Sequence, residues 1–204
     1  MSRDHVSTHL IDFFDPAATG SDPRGRKLND ILAWPDRDLE YSHDYIQNLF
    51  PLPEGSAFNH AIWIVSEKDY EAFRQRPELR SSFSKAFDRI CTFYGLKCEA
   101  GPDSNGALRV VRASDFDEAK GVWLSRFNHN HLRITRILRS LRVLGLSEQA
   151  AAYHAFLQTD SEVIARVSPT SRMYWKRAAE RALRLPPDED DDEAEGIEWL
   201  RNKL

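Results

Sequence analysis

The segment 129–145, HNHLRITRILRSLRVLG, constrains this chain more than any other. At about 100° per residue, Ile134, Ile137, Leu138, Leu141 and Leu144 fall on one apolar stripe, while Arg133, Arg136, Arg139 and Arg142 fan across the opposite side. Gly145 supplies the left-handed residue that commonly ends a helix. Such a helix must bury its stripe, so the rest of the chain has to pack around it. Its arginines and its His129-Asn130-His131 entrance leave three readings open: an anion site, a partner surface, or the solvated face of a core helix.

The remaining segments read mostly as helices. Residues 27–34 form a short one, ended by Pro35. Asp36 or Asp38 caps the next, which runs to about Phe50 and places Leu39, His43, Ile46 and Phe50 on a buried stripe before Pro51 and Pro53 stop it. A loop over 52–64 carries Phe58, Asn59, His60 and Trp63. Ser66 caps a further helix, with Asp69 in the place of the usual capping-box glutamate. Pro77 opens another that ends near Tyr94-Gly95, on which Leu79, Phe83, Phe87, Ile90 and Tyr94 repeat at helical spacing. Residues 101–106 are turn-rich and 107–112 form a short extended segment. A helix over 115–127 leads into 129–145. Ser147 caps one through Thr159, residues 160–167 are ambiguous, and Pro169 begins a last helix through Leu185.

The expected architecture is therefore all-α: one multi-helix bundle around the 130–145 helix, with a short strand near 107–112. A loosely ordered arm over 1–25, anchored by Phe13 and Phe14, precedes a helical domain over 26–185. The acidic tail over 186–204 is expected to be solvated and disordered, with Ile197, Trp199, Leu200 and Leu204 forming one docking turn.

Composition narrows the function. With 204 residues, 41% of them hydrophobic, the chain can bury a real core. Seven of the eight residues from Asp188 to Glu195 are acidic. Residues 1–187 carry 26 basic against 24 acidic groups, a net of +2, well short of a dedicated nucleic-acid binder. Cys91 and Cys98 read as reduced thiols of an intracellular protein. The N-terminus lacks the blocks of a signal peptide, and no apolar run approaches the roughly 20 residues of a membrane span, so membrane association is at most peripheral.

Three segments together carry a resemblance. They are LEYSHDYIQNLFPL over 39–52, FYGL over 93–96, and HN at 129–130 followed by LRITRILRSLRVLGL over 132–146. In this order and spacing they resemble the conserved region of the opioid growth factor receptor family, over roughly residues 20–180. Asn48 stands where the family commonly has Trp, and His131 where another Asn is familiar. An acidic tail stands in place of the long repeat-bearing extension of animal receptors. The resemblance implies an intracellular receptor for an enkephalin-type peptide, associated with the nucleus or nuclear envelope, and assigns no ligand residues.

The candidate binding residues come from the side chains themselves. His43 sits one turn from Glu40 and Gln47, as a pocket-lining polar group or a satisfied core histidine. Asn130 reads as the N-cap of the long helix, leaving later N–H groups for an anion. His129 and Arg133 would complete that site, with Arg136 one turn on. A basic patch would combine Arg139 and Arg142 with Lys176 and Arg177; with Arg181 and Arg184 it could hold nucleic acid, which is the less favoured partner, or the chain's own acidic tail. His129 and His131 fail as a metal pair, because i, i+2 side chains diverge on a helix and no ligand follows at the right spacing. No phosphate loop, nucleophile elbow or HExxH motif is present, and no cofactor is called for. The reading is a non-catalytic module for a short peptide or protein segment. The alternatives are a small-molecule pocket enzyme using His43 and His129, and a nucleic-acid scaffold using the arginine faces.

Overall fold

The computed structural model describes residues 10–55, 62–102 and 106–203. A helical turn over 10–14 (α1) leads into three short helices: α2 (Leu28–Leu32), α3 (Asp36–Tyr41) and α4 (Tyr45–Leu49). Then come α5 (Glu67–Gln75) and α6 (Pro77–Phe93), a hairpin of β1 (Leu96–Ala100) and β2 (Leu108–Arg112), and α7 (Phe116–Ala119), which runs into a 3-10 turn over Lys120–Val122. The remainder is α8 (Asn130–Val143), α9 (Ser147–Thr159), α10 (Ser161–Arg166), α11 (Pro169–Glu180) and a closing 3-10 turn, Glu198–Leu200. The molecule is mainly α-helical, as expected. No helix among the described residues is long and apolar enough to cross a membrane. Phe58, Asn59, His60 and Leu204 lie outside the described residues.

Local signals explain most helix ends. Ser66 and Asp69 form a reciprocal capping box, the Ser66 N–H donating to Asp69 Oδ2 at 2.9 Å. Pro77 occupies the first turn of α6, and Leu79, Phe83, Phe87 and Ile90 are all buried along it. Gly145 has φ +83°, and the Leu146 N–H reaches back to the Leu141 carbonyl at 2.7 Å, a Schellman closure of α8. The hairpin is antiparallel with Leu96 opposite Arg112 and Ala100 opposite Leu108. Its first strand gives no strong sequence signal, being five residues hard against a helix. Gly95 makes that corner: φ is +69°, and a Cβ there would lie 2.8 Å from Phe116 Cα.

Five expectations need correction. The helix expected to run from 36 or 38 to Phe50 is broken at Ser42-His43-Asp44, where Ser42 is extended and its hydroxyl donates to Asp44 Oδ1 at 2.9 Å. The break turns His43 off the buried stripe and leaves it exposed. The helix expected over 115–127 reaches only Val122, and α11 ends at Glu180, before Leu185. Ser147 is the first helical residue of α9 and gives no side-chain cap. The stretch read as a loose arm contributes Leu10, Phe13 and Phe14 to the core, Phe14 meeting Phe73 and Phe83 edge-on.

The acidic tail is likewise engaged. Asp190 pairs with Arg177 at 2.9 Å and Asp192 with Arg181, so 186–197 folds back along the end of α11. The Ile197 N–H donates to the Arg184 carbonyl at 2.8 Å, Trp199 packs on Tyr70, and Leu200 is fully buried.

Candidate functional site

Helix α8 carries the chemistry, and its arginines point inward. Of its fourteen residues ten are buried, including Arg133 and Arg139, so the helix is enclosed nearly all round. An arginine can bury its stem among apolar groups and deliver five N–H donors to acceptors at its tip. Here most of those acceptors are the carbonyls that a helix leaves unbonded at its C-terminal end. Arg133 donates to the carbonyls of Leu39 (2.9 Å), Glu40 (3.3 Å) and Ser42 (2.9 Å), closing the end of α3. Arg136 donates to Phe50, the residue that ends α4, at 3.1 Å. Arg142 donates to Ala178 and Arg181, at 3.0 and 2.8 Å, closing α11.

The same device recurs elsewhere. Arg89 reaches the carbonyls of Leu32 and Trp34 past α2, and Arg80 those of Phe73 and Arg74 at the end of α5. Arg74 in turn donates to the Val143 carbonyl of α8 at 2.7 Å. Helices of five or six residues such as α2, α3 and α4 do not persist alone. A cation at each C-terminus satisfies the carbonyls and opposes the negative end of the helix dipole.

The entrance of α8 is closed to an outside anion. Asn130, expected as the N-cap, is fully buried inside the first turn, with His129 in the cap position. Its N–H donates to Asn128 Oδ1 at 2.8 Å, while the His131 and Leu132 N–H groups donate to the Asn128 and His129 carbonyls. The Asn130 side chain is a hub: Nδ2 donates to the Val122 carbonyl (2.8 Å) and Glu40 Oε2 (3.1 Å), and Oδ1 accepts from the Tyr94 hydroxyl (3.1 Å). With both Nδ2 hydrogens engaged, His129 Nε2 donates to Glu40 Oε1 at 3.1 Å. The carboxylate at this helix entrance is thus the protein's own.

Beside the hub runs a half-open groove of about 650 Å³, within the range of small-ligand sites. One wall is α8, where His129, Leu132, Arg133, Arg136 and Arg139 recur on successive turns. His43, Ile46 and Gln47 form the facing wall, Leu52 and Glu54 extend it, and Tyr174, Pro187 and Asp188 complete the rim. Five of the six candidate binding residues therefore meet in one place: His43, Gln47, His129, Arg133 and Arg136. Asn130 lies behind them. The His43 and His129 rings stand 5.5 Å apart, edge to face. Arg133 Nη2 lies 3.3 Å from His43 Nδ1, and because a guanidinium only donates, that nitrogen is the acceptor. Sequence reasoning missed Leu132, which is 74% exposed in the groove wall. The available signal was an apolar residue off the buried stripe.

The proposed basic patch does not form an open face. Arg139 is 1% exposed and grips both oxygens of Glu54, at 3.1 and 3.4 Å. Arg142 serves the end of α11; burial pushes its pKa down to about 10, with the like charge of Arg139 adding to the shift. Lys176 pairs with Glu180, and Arg177 with Asp190 of the returning tail.

A family model of the opioid growth factor receptor conserved region matches residues 8–175. The chain belongs to the opioid growth factor receptor family. The opioid growth factor receptor of Rattus norvegicus is 39% identical over 140 residues, 67% of this chain and 23% of that protein. That of Mus musculus is 40% identical over 140 residues, again 67% of this chain and 21% of the receptor. The opioid growth factor receptor-like protein 1 of Xenopus tropicalis is 36% identical over 126 residues, 60% and 23% of the two chains. The chain thus matches less than a quarter of the length of these relatives. No solved structure matches it. All of the α4 and α8 contributions to the groove fall inside the family match; Pro187 and Asp188 fall outside it. Asn48 is buried and donates to Asp22 Oδ2 at 3.2 Å.

Proposed function

We propose that this opioid growth factor receptor family member is a non-catalytic binding module that holds a short peptide or protein segment in the groove between α4 and α8. The observation that carries this reading is the meeting of His43, Gln47, His129, Arg133 and Arg136 with an apolar lining of Ile46, Leu52, Leu132 and Tyr174 on one concave surface. Apolar walls with a few oriented polar groups are how proteins hold such ligands. Relatives that match this chain are named as receptors of opioid growth factor, so an enkephalin-type peptide is the first ligand to try. The two histidines do not favour the enzyme alternative: Arg133 and Glu40 each orient one ring, which is what a rigid binding wall requires. Nor do the arginines favour nucleic acid, since Arg133, Arg139 and Arg142 turn their donors to carbonyls and a carboxylate of the chain itself.

Calorimetric titration with enkephalin-type pentapeptides tests the reading. Leu132→Asp should weaken binding tenfold or more. It should move stability by no more than about 0.5 kcal/mol, because the side chain is mostly exposed. Wild-type protein that gives no heat with any peptide, or a variant that binds as well as wild type, would sink it. Location at the nucleus or nuclear envelope is part of the same proposal, and a fluorescent fusion excluded from the nucleus would contradict it.

A further inference from the structure

Three arginines line the groove, and they are not equivalent. Arg133 is held by three carbonyls and Arg139 by the Glu54 carboxylate. Among the described residues Arg136 has one hydrogen bond, to the Phe50 carbonyl at 3.1 Å, and no carboxylate within salt-bridge reach. The groove around it mixes apolar side chains, Ile46, Leu52 and Leu132, with the polar Gln47, Thr135 and Glu54. One hydrogen bond leaves most of the five guanidinium N–H donors without an acceptor among the described residues. Burial holds its pKa below the ordinary arginine value, and the opposing charge is Glu54, already gripped by Arg139.

From a guanidinium that faces the groove with no carboxylate of its own among the described residues we infer that Arg136 is a carboxylate receptor and that the ligand is a peptide docking there by its free C-terminus. The planar fork of a guanidinium accommodates both oxygens of a carboxylate. Geometry favours the end of a chain over an acidic side chain. Along α8 from its N-terminal end, His129 comes first, Arg136 lies about 10 Å further on, and one turn beyond it the Arg139–Glu54 pair stands in the line of a continuing chain. About three extended residues span His129 to Arg136. A chain ending at Arg136 lays its last apolar side chains on Leu132 and Ile46 without having to displace the ion pair.

This inference rests on the peptide-binding reading above, and one experiment separates their failures. Pools of N-acetylated pentapeptides ending in Leu or Phe are prepared as free acids, as C-terminal amides, and as amides ending in Glu. Each pool is titrated into wild-type protein, Arg136→Gln and Arg136→Lys, with folding of the variants checked by thermal unfolding. Wild type should bind the free acids at least about tenfold more tightly than the amides, the scale of one charge-assisted pair. Arg136→Gln should bind both alike, and Arg136→Lys should keep part of the preference; should Arg136→Gln fail to fold, a full wild-type preference in Arg136→Lys overturns the role of the fork. Equal binding of acid and amide by wild type, or a preference that survives Arg136→Gln, overturns the inference and leaves the peptide-binding reading intact. Tight binding of the Glu-ended amides overturns the C-terminal assignment. Absence of binding by every pool overturns both.

Discussion

Arg133→Met should unfold at a much lower denaturant concentration than wild type, with stability reduced by about 4 kcal/mol. Methionine keeps most of the buried stem and removes only the guanidinium, so the loss isolates the polar contribution. The carbonyls of Leu39, Glu40 and Ser42 would be left without their donor. Hydrogen bonds to a charged group contribute about 1.5–3 kcal/mol each, and a buried acceptor left bare costs about 1–3 kcal/mol. Relaxation and water entry recover some of that sum. The Tyr45 ring, over which the guanidinium also lies at 5.6 Å, loses a cation contact as well. Equilibrium unfolding by urea measures the effect, and a loss below about 1 kcal/mol would mean that Arg133 does not close α3.

Asn130→Ala is the second large effect, at about 3 kcal/mol. The substitution suits a helix by propensity, so a simple capping residue would cost only about 1 kcal/mol. Here it strands the Tyr94 hydroxyl and the Val122 carbonyl, and it frees one side of Glu40. Tyr94 is fully buried and cannot turn to water. A loss of 1 kcal/mol or less in the same urea measurement would return Asn130 to the role of an ordinary cap.

These two residues show where sequence reading succeeds and where it stops. The apolar stripe of α8 was legible because periodicity needs only local order: Ile134, Ile137, Leu138, Leu141 and Leu144 are all fully buried. Ends set by Gly145, Pro77 and the Ser66–Asp69 box were legible for the same reason. The direction of the arginines was not. A helical wheel sends Arg to water by residue type, whereas the acceptors that draw Arg133 inward belong to residues some ninety positions away. The break at Ser42–Asp44 has no proline or glycine to announce it, because the donor that makes it tolerable sits on α8. The groove was half legible. His43, Gln47, His129, Arg133 and Arg136 are polar groups that stand out in an apolar pattern. Tyr174 and Asp188 reach the same rim only through tertiary folding.

All four α8 arginines work inward: Arg133 and Arg142 close helix ends, Arg139 holds Glu54, and Arg136, with its single bond to Phe50, keeps donors for a ligand. Side-chain NMR of the guanidinium groups tests it most directly. Arg133, Arg139 and Arg142 should show slow rotation about Nε–Cζ and protected N–H signals in the free protein, unchanged when a bound peptide is added, while the Arg136 signals move. Four arginines that all rotate and exchange as fast as an exposed one would contradict the claim.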